Sequence, residues 1–165
     1  MLFRSAVAAK PATTTIPIVF STGSDPVALG LVASLNRPGG NLTGITNLQA
    51  ELAPKQLQLL RQVMPNAAVF GVLADPGFPG IQSMIITDLR AAARTLGLQL
   101  VVANARTDGD LETAFATFSQ QRVGAVLVAG SPFYARRTEQ LAALAARDAL
   151  PAIFPFREFV LAGAA

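Results

Sequence analysis

Ile16-Pro17-Ile18-Val19-Phe20, then Ser21-Thr22-Gly23-Ser24-Asp25-Pro26, then an apolar-periodic run to Leu35, then Asn36-Arg37-Pro38-Gly39-Gly40 and Asn41-Leu42-Thr43-Gly44-Ile45-Thr46: this stretch reads as strand, polar loop, helix, turn, strand. The first strand is wholly apolar and predicts burial. Asp25-Pro26 is a helix start, because a carboxylate accepts from free first-turn N–H groups and proline at the first helical position loses no bond. Pro38-Gly39-Gly40 predicts the helix stop. The polar loop then lies at the carboxyl end of a strand, where open α/β sheets bind ligands.

Outward from this stretch the alternation continues. Helices are predicted over 53–64, from Pro79 to Gly97, from Asp108 with Leu111, Phe115 and Phe118 inward, and over 134–148. Strands are predicted over 68–74, 98–103, 123–129 and 152–154, with a last helical turn over 157–161. The strands are short and uniformly apolar, the mark of parallel strands covered on both faces. Strands alternating with helices of ten or more residues give right-handed crossovers. The predicted fold class is α/β: a three-layer, doubly wound parallel sheet between helices. Residues 1–47 form a strand–helix–strand unit with a crossing segment, and residues 48–165 a nearly complete α/β lobe.

With 165 residues, 52% apolar and 14% charged, the chain has enough apolar material for a core. It has no cysteine and no histidine. Disulfides, thiolate metal sites, cysteine nucleophiles and Ser–His pairs are therefore excluded. The net charge is +3, with arginines spread along the chain. A nucleic-acid surface would gather them on one face with aromatics between. No apolar run approaches the about 20 residues that cross a bilayer. The opening Met1-Leu2-Phe3-Arg4-Ser5-Ala6-Val7-Ala8-Ala9 lacks the ordered regions of a secretory signal, so no signal peptide is expected in this chain. Dinucleotide, P-loop and nucleophile-elbow patterns are absent. Asp108, Asp110 and Glu112 sit where a helix start favours negative charge, without implying a metal.

The candidate binding residues lie in the strand-end loops: Thr22, Ser24, Asp25, Asp75, Ser131, Phe133 and Tyr134. Carboxylates and hydroxyls suit an amine, and aromatic faces suit an apolar body, so the set fits a zwitterionic or aromatic small molecule. Asp25 also reads as a helix cap, and the two aromatics as lids of the core. Arg136 and Arg137 read as a solvated helix face.

The words Thr15-Ile16-Pro17-Ile18-Val19-Phe20, Gly23-Ser24-Asp25-Pro26-Val27, Ser34-Leu35-Asn36-Arg37-Pro38-Gly39-Gly40-Asn41-Leu42-Thr43-Gly44, Leu57-Gln58-Leu59-Leu60-Arg61, Leu150-Pro151-Ala152-Ile153-Phe154 and Arg157-Glu158-Phe159-Val160 carry a resemblance. Over roughly residues 6 to 164 the chain resembles the ABC transporter substrate-binding proteins of the type that includes tryptophan-binding proteins. The resemblance implies a periplasmic-binding-protein type I fold: one lobe nearly whole, part of a second, hence a fragment. It implies solute binding in an inter-lobe cleft for a bacterial importer, no enzymatic activity, no cofactor, and a periplasmic or membrane-anchored extracytoplasmic location. The implied partners are a small-molecule solute and the permease subunits; no nucleic acid is expected. Self-association or poor order of residues 1–46 is expected, since a two-stranded unit is marginal in water, and solute binding by so incomplete a cleft is expected to be weak or absent. The rival readings are a small racemase- or isomerase-like α/β enzyme and a ligand-sensing regulatory domain. A receiver domain would need an acidic cluster that Asp75 alone does not make.

Overall fold

The computed structural model describes residues 2–161 and 163. Its contacts divide into two units, Met1–Glu51 and Leu52–Ala165.

The larger unit is built on four strands: β3 (Val69–Ala74), β4 (Gln99–Asn104), β5 (Ala125–Val128) and β6 (Ala152–Ile153), in the order β4-β3-β5-β6. Every pairing is parallel, with Leu73 opposite both Ala103 and Val128. The predicted parallel α/β architecture is therefore what the chain adopts. β3 and β5 are apolar because helices cover both their faces; β4 is an edge strand and half-exposed.

α2 (Gln49–Val63) precedes β3 and buries Ala53, Leu57 and Leu60, one face at helical spacing. α3 (Pro79–Leu96) joins β3 to β4, with proline in its first turn. It ends at Gly97, whose φ of +67° lets its N–H reach the Arg94 carbonyl while Leu98 N–H reaches Ala93. Only glycine adopts this left-handed stop at no steric cost. α4 (Asp108–Gln120) joins β4 to β5, and α6 (Thr138–Arg147) leads into β6. Right-handed crossovers put α3 on one face of the sheet and α4 with α6 on the other. Between the sheet and α4 lie Phe115 and Phe118, edge to face at 5.9 Å and fully buried. Phe118 fits because Gly71 of β3 has no side chain: a Cβ there would stand 3.0 Å from the ring.

The expected helix over 134–148 is broken. α5 (Pro132–Ala135) ends early with Arg136 as its cap, and Arg137 leaves helical geometry before α6 begins. The Arg137 guanidinium lies 3.9 Å from the Phe133 ring centre and 2.6 Å from Asp108 Oδ1. These attachments, made outside its own helix, favour the break over one continuous helix. The short α7 (Glu158–Leu161) follows β6 and stacks Phe159 on Phe154 at 4.6 Å.

α4 starts with a capping box. Thr107 Oγ1 accepts from Asp110 N–H at 3.1 Å, and Asp110 Oδ2 accepts from the Thr107 and Arg106 N–H groups, each at 2.9 Å. The Arg106 N–H bond first, then the bonds with Thr107, hold the Asp110 carboxyl below its ordinary 3.8. A carboxyl depressed by folding contributes stability above its ordinary value and loses it as pH falls through the lowered one. Asp110→Asn is therefore expected to lower the urea midpoint at neutral pH, and the difference should vanish well below 3.8. A difference that persists unchanged in acid would remove the charge from the account.

The smaller unit contains α1 (Leu2–Ala9), a 3-10 turn over Lys10–Ala12, β1 (Ile18–Thr22) and β2 (Leu42–Thr46). β1 and β2 pair in parallel, with Phe20 opposite Gly44. Four expectations change here. The strand begins at Ile18, and it is buried on one face only: Phe20 and Thr22 point in, while Val19 is 80% exposed. The helix expected after Asp25-Pro26, the middle of strand–helix–strand, does not form. Its single turn closes at Gly30, φ +63°, with Gly30 N–H on the Val27 carbonyl and Leu31 N–H on Pro26, each at 2.8 Å. That stop turns Leu31 and Val32 into the cluster with Ala6, Phe20 and Leu42. Pro38-Gly39-Gly40 is consequently a loop turn and no helix stop: Arg37 N–H donates to Ser34 Oγ at 3.1 Å and Ala33 N–H to the Pro38 carbonyl. Asn41 ties this loop down, its Nδ2 donating to the Ile16 carbonyl at 2.7 Å.

Candidate functional site

In each unit the polar candidates gather just beyond the carboxyl ends of the strands.

In the smaller unit, Thr22 ends β1 and its Oγ1 accepts from Ser24 N–H at 3.2 Å. Ser24 is buried, its carbonyl accepts from Thr46 Oγ1 at 3.0 Å, and its own Oγ has no partner among the described residues. Asp25 Oδ1 accepts from Val27 N–H at 2.8 Å, so it caps the one turn that forms. Its second oxygen is free of that bond, and the half-buried carboxylate keeps an accepting face.

In the larger unit, Asp75 follows β3 directly and is fully buried. Its Oδ1 accepts from Gly77 N–H at 2.8 Å; its Oδ2 has no partner among the described residues. The Arg106 guanidinium, from the loop after β4, approaches Asp75 Oδ1 at 3.5 Å and is itself 55% exposed. It lies over Gly77, where any Cβ would overlap it. Gln82, in the first turns of α3, is 4% exposed. Its Nε2 donates to the Gly130 carbonyl at 3.4 Å, and its Oε1 has no partner among the described residues. An unsatisfied buried acceptor is costly, and Asp75 and Gln82 each carry one at the same sheet edge.

Ser131 and the two aromatics serve α5. Ser131 Oγ accepts from Phe133 and Tyr134 N–H at 3.0 and 3.3 Å. Tyr134 is fully buried in the core and its hydroxyl donates to the Ala105 carbonyl at 3.1 Å. Burial, then the nearby Asp75 charge, push its phenol far above the ordinary value, so it stays neutral. Phe133 is half-buried, edge to face with Tyr134 at 5.5 Å. The structure thus brings Asp75 close to the Ser131–Tyr134 segment and assigns Tyr134 to packing. Among the described residues no group of three or more acidic, histidine or cysteine side chains could hold a metal ion.

Sequence reasoning missed Gln82 and Arg106. Gln82 had a signal: Gln82, Ile85, Leu89 and Ala93 recur at helical spacing on the buried face of α3, and a glutamine on an apolar stripe is out of place. Arg106 had none, because its approach to Asp75 depends on β4 lying beside β3.

The profile of the family described as "ABC transporter substrate binding protein" matches residues 4–165. A curated "Tyrosine-binding protein" from Clostridioides difficile is 42% identical over 69 residues, which is 42% of this chain and 19% of that protein. Among solved structures, a conserved domain protein from Vibrio cholerae matches 98% of this chain and 53% of its own at 28% identity, TM-score 0.76. The ligand-free, open structure of a substrate-binding protein with adhesive properties from Clostridium difficile matches 92% of this chain and 50% of its own at 26% identity, TM-score 0.63. A domain from Streptococcus pneumonia in complex with L-Trp shares the fold at 20% identity, TM-score 0.68, over 91% of this chain and half of its own. The chain spans about half the length of these structures and a smaller share of the curated relative.

Proposed function

We propose, since this chain belongs to the ABC transporter substrate-binding protein family, that it supplies solute-binding surface to the extracytoplasmic receptor of an importer, and that the solute is an aromatic amino acid. The observation that carries the reading is the carboxyl edge of the four-stranded sheet, where Asp75 Oδ2 and Gln82 Oε1 are buried acceptors without donors. Parallel sheets bind ligands at that edge, and an undersatisfied polar edge asks for one. The tyrosine-binding relative supports the choice of solute. Thr22, Ser24 and Asp25 are the contribution of residues 1–47, read as part of one lobe; Asp75, Ser131 and Phe133 are that of residues 48–165, read as the other. Closure of the two lobes on the solute would present a new surface to the permease. The solute leaves unchanged, so the protein is a carrier and not an enzyme. The receptor would act in the periplasm or tethered outside the membrane; no helix among the described residues is long and apolar enough to cross one.

Titration of the chain with L-tyrosine, L-tryptophan and non-aromatic amino acids tests this. The aromatic pair should raise the melting temperature, by the equivalent of about 2.7 kcal/mol at a hundredfold excess over Kd, and be recovered without deuterium at Cα. No shift with any amino acid would sink the solute, and deuterium uptake would make the protein an enzyme.

We also propose that the chain self-associates through residues 1–46. Val19 and Ile45, 80% and 73% exposed, leave an apolar face on a two-stranded parallel sheet. Parallel strands are normally covered on both faces. Light scattering should show association that rises with concentration. Val19→Lys with Ile45→Lys should abolish it, and a monomer at all concentrations would refute it.

A further inference from the structure

We propose that Asp75 and Gln82 form the seat of the solute's primary ammonium group, and that the Arg106 guanidinium lies beside this carboxylate as an internal cation which the ammonium displaces. This rests on the solute-binding reading above and goes beyond it by assigning one end of the ligand to named atoms.

The type of the unsatisfied atoms decides the chemistry. Asp75 Oδ2 and Gln82 Oε1 are both acceptors, and both belong to side chains at least nine-tenths buried. A single counterpart to both must therefore donate, and must donate twice. A carboxylate or phosphate would meet repulsion from Asp75. A hydroxyl offers one donor and no charge. A primary ammonium offers three N–H donors and the opposite charge.

Sheet register brings the two residues to one edge. Leu73 of β3 pairs with Val128 of β5, and Ala129 N–H still donates to the Leu73 carbonyl. Two residues beyond the pair, Asp75 and Gly130 emerge side by side. The Gln82 amide is tied to the carbonyl of that same Gly130, so both buried acceptors belong to the carboxyl edge of the β3–β5 pair.

Arg106 is present but loosely held. Its 3.5 Å approach to Asp75 Oδ1 exceeds the about 2.7–2.9 Å of a hydrogen-bonded ion pair. Being 55% exposed, the guanidinium gives up little when it swings into water. It reaches Oδ1, the oxygen that already accepts from Gly77, and leaves Oδ2 unmet. An ammonium bonded to Oδ2 and to Gln82 satisfies what Arg106 does not, and a second cation beside it is repelled.

The test uses the amine alone. The Gly77 amide reports on Asp75 through its bond to Oδ1 and can be followed by ¹H–¹⁵N NMR. Ethylammonium chloride is titrated against tetramethylammonium chloride, which has the charge and no N–H donor, at matched ionic strength. A saturable shift is expected with ethylammonium only. Asp75→Asn, which can still accept from Gly77, should remove it; Gln82→Met, which deletes one acceptor and leaves the carboxylate, should weaken it severalfold. Arg106→Gln should tighten it severalfold. Equal responses to the two salts, no saturable response, or a shift that survives in both the Asp75 and Gln82 variants would overturn the seat, leaving water as the partner of these atoms. Weaker binding in Arg106→Gln would overturn the displacement. Ethylammonium binding without any amino-acid binding would refute the proposed solute and keep the seat; tyrosine binding that ignores Asp75→Asn would do the reverse.

Discussion

Phe118→Ala is expected to cost the four-stranded unit about 3–5 kcal/mol, the range for deleting a buried aromatic ring. Phe118 has no exposed surface, meets Phe115 edge to face, and fills the space that Gly71 leaves on β3. The surrounding core includes Leu111 on α4 and Val126 on β5, both held by helix or sheet backbone, so the cavity cannot collapse fully. Since a domain's whole stability is about 5–15 kcal/mol, the variant should sit near the edge of folding. Urea unfolding at 25 °C reads the loss directly, and Phe118→Leu should recover most of it. A loss below about 1 kcal/mol would mean that the ring does not lie against Gly71, and the packing of α4 on the sheet would need revision.

Gly44→Val should unravel the smaller unit. Judged by local preference, the change looks favourable, because valine suits strands and glycine does not. The tertiary contacts reverse that preference. Gly44 pairs with Phe20, and a Cβ at Gly44 would overlap the Phe20 carbonyl oxygen and stand 2.6 and 2.7 Å from two of its ring atoms. The carbonyl is backbone and cannot turn aside. The ring is buried among Ala6, Leu31, Val32 and Leu42. Overpacking of this kind costs about 1–3 kcal/mol and at times more, a large share of what two strands and a small cluster hold. Hydrogen exchange gives the readout: Ile18 N–H donates to the Asn41 carbonyl and Asn47 N–H to the Thr22 carbonyl, one bond at each end of the strand pair. Both amides should lose protection. Retained protection in the variant would show that β1 and β2 are not paired in this register.

Arg106 and Gly30 show where reading a chain stops. The α/β alternation, the parallel sheet, the start of α3 at Pro79, its stop at Gly97 and the start of α4 at Asp108 were all legible, because each rests on local chemistry: helical spacing of apolar residues, a proline without an N–H, a glycine free to take positive φ. So was the candidacy of Asp75, a carboxylate following an apolar strand. The absence of a helix after Asp25 was not legible, because Gly30 is an ordinary helical interruption until Leu31 and Val32 have a cluster to enter. Single-face burial of β1 was equally hidden: Val19 and Phe20 are both apolar, and which one packs depends on which face α1 and the 31–32 segment cover. Local chemistry along the chain set the element types and the sheet edge on which polar groups emerge. Which of those groups meet was left to the assembled fold, since Asp75, Gln82, Arg106 and Gly130 come from four separate segments that only the β4-β3-β5 order draws together. The fold also sets which acceptors remain unsatisfied, because a hydrogen bond is a matter of distance and angle between atoms, and sequence spacing carries neither across segments.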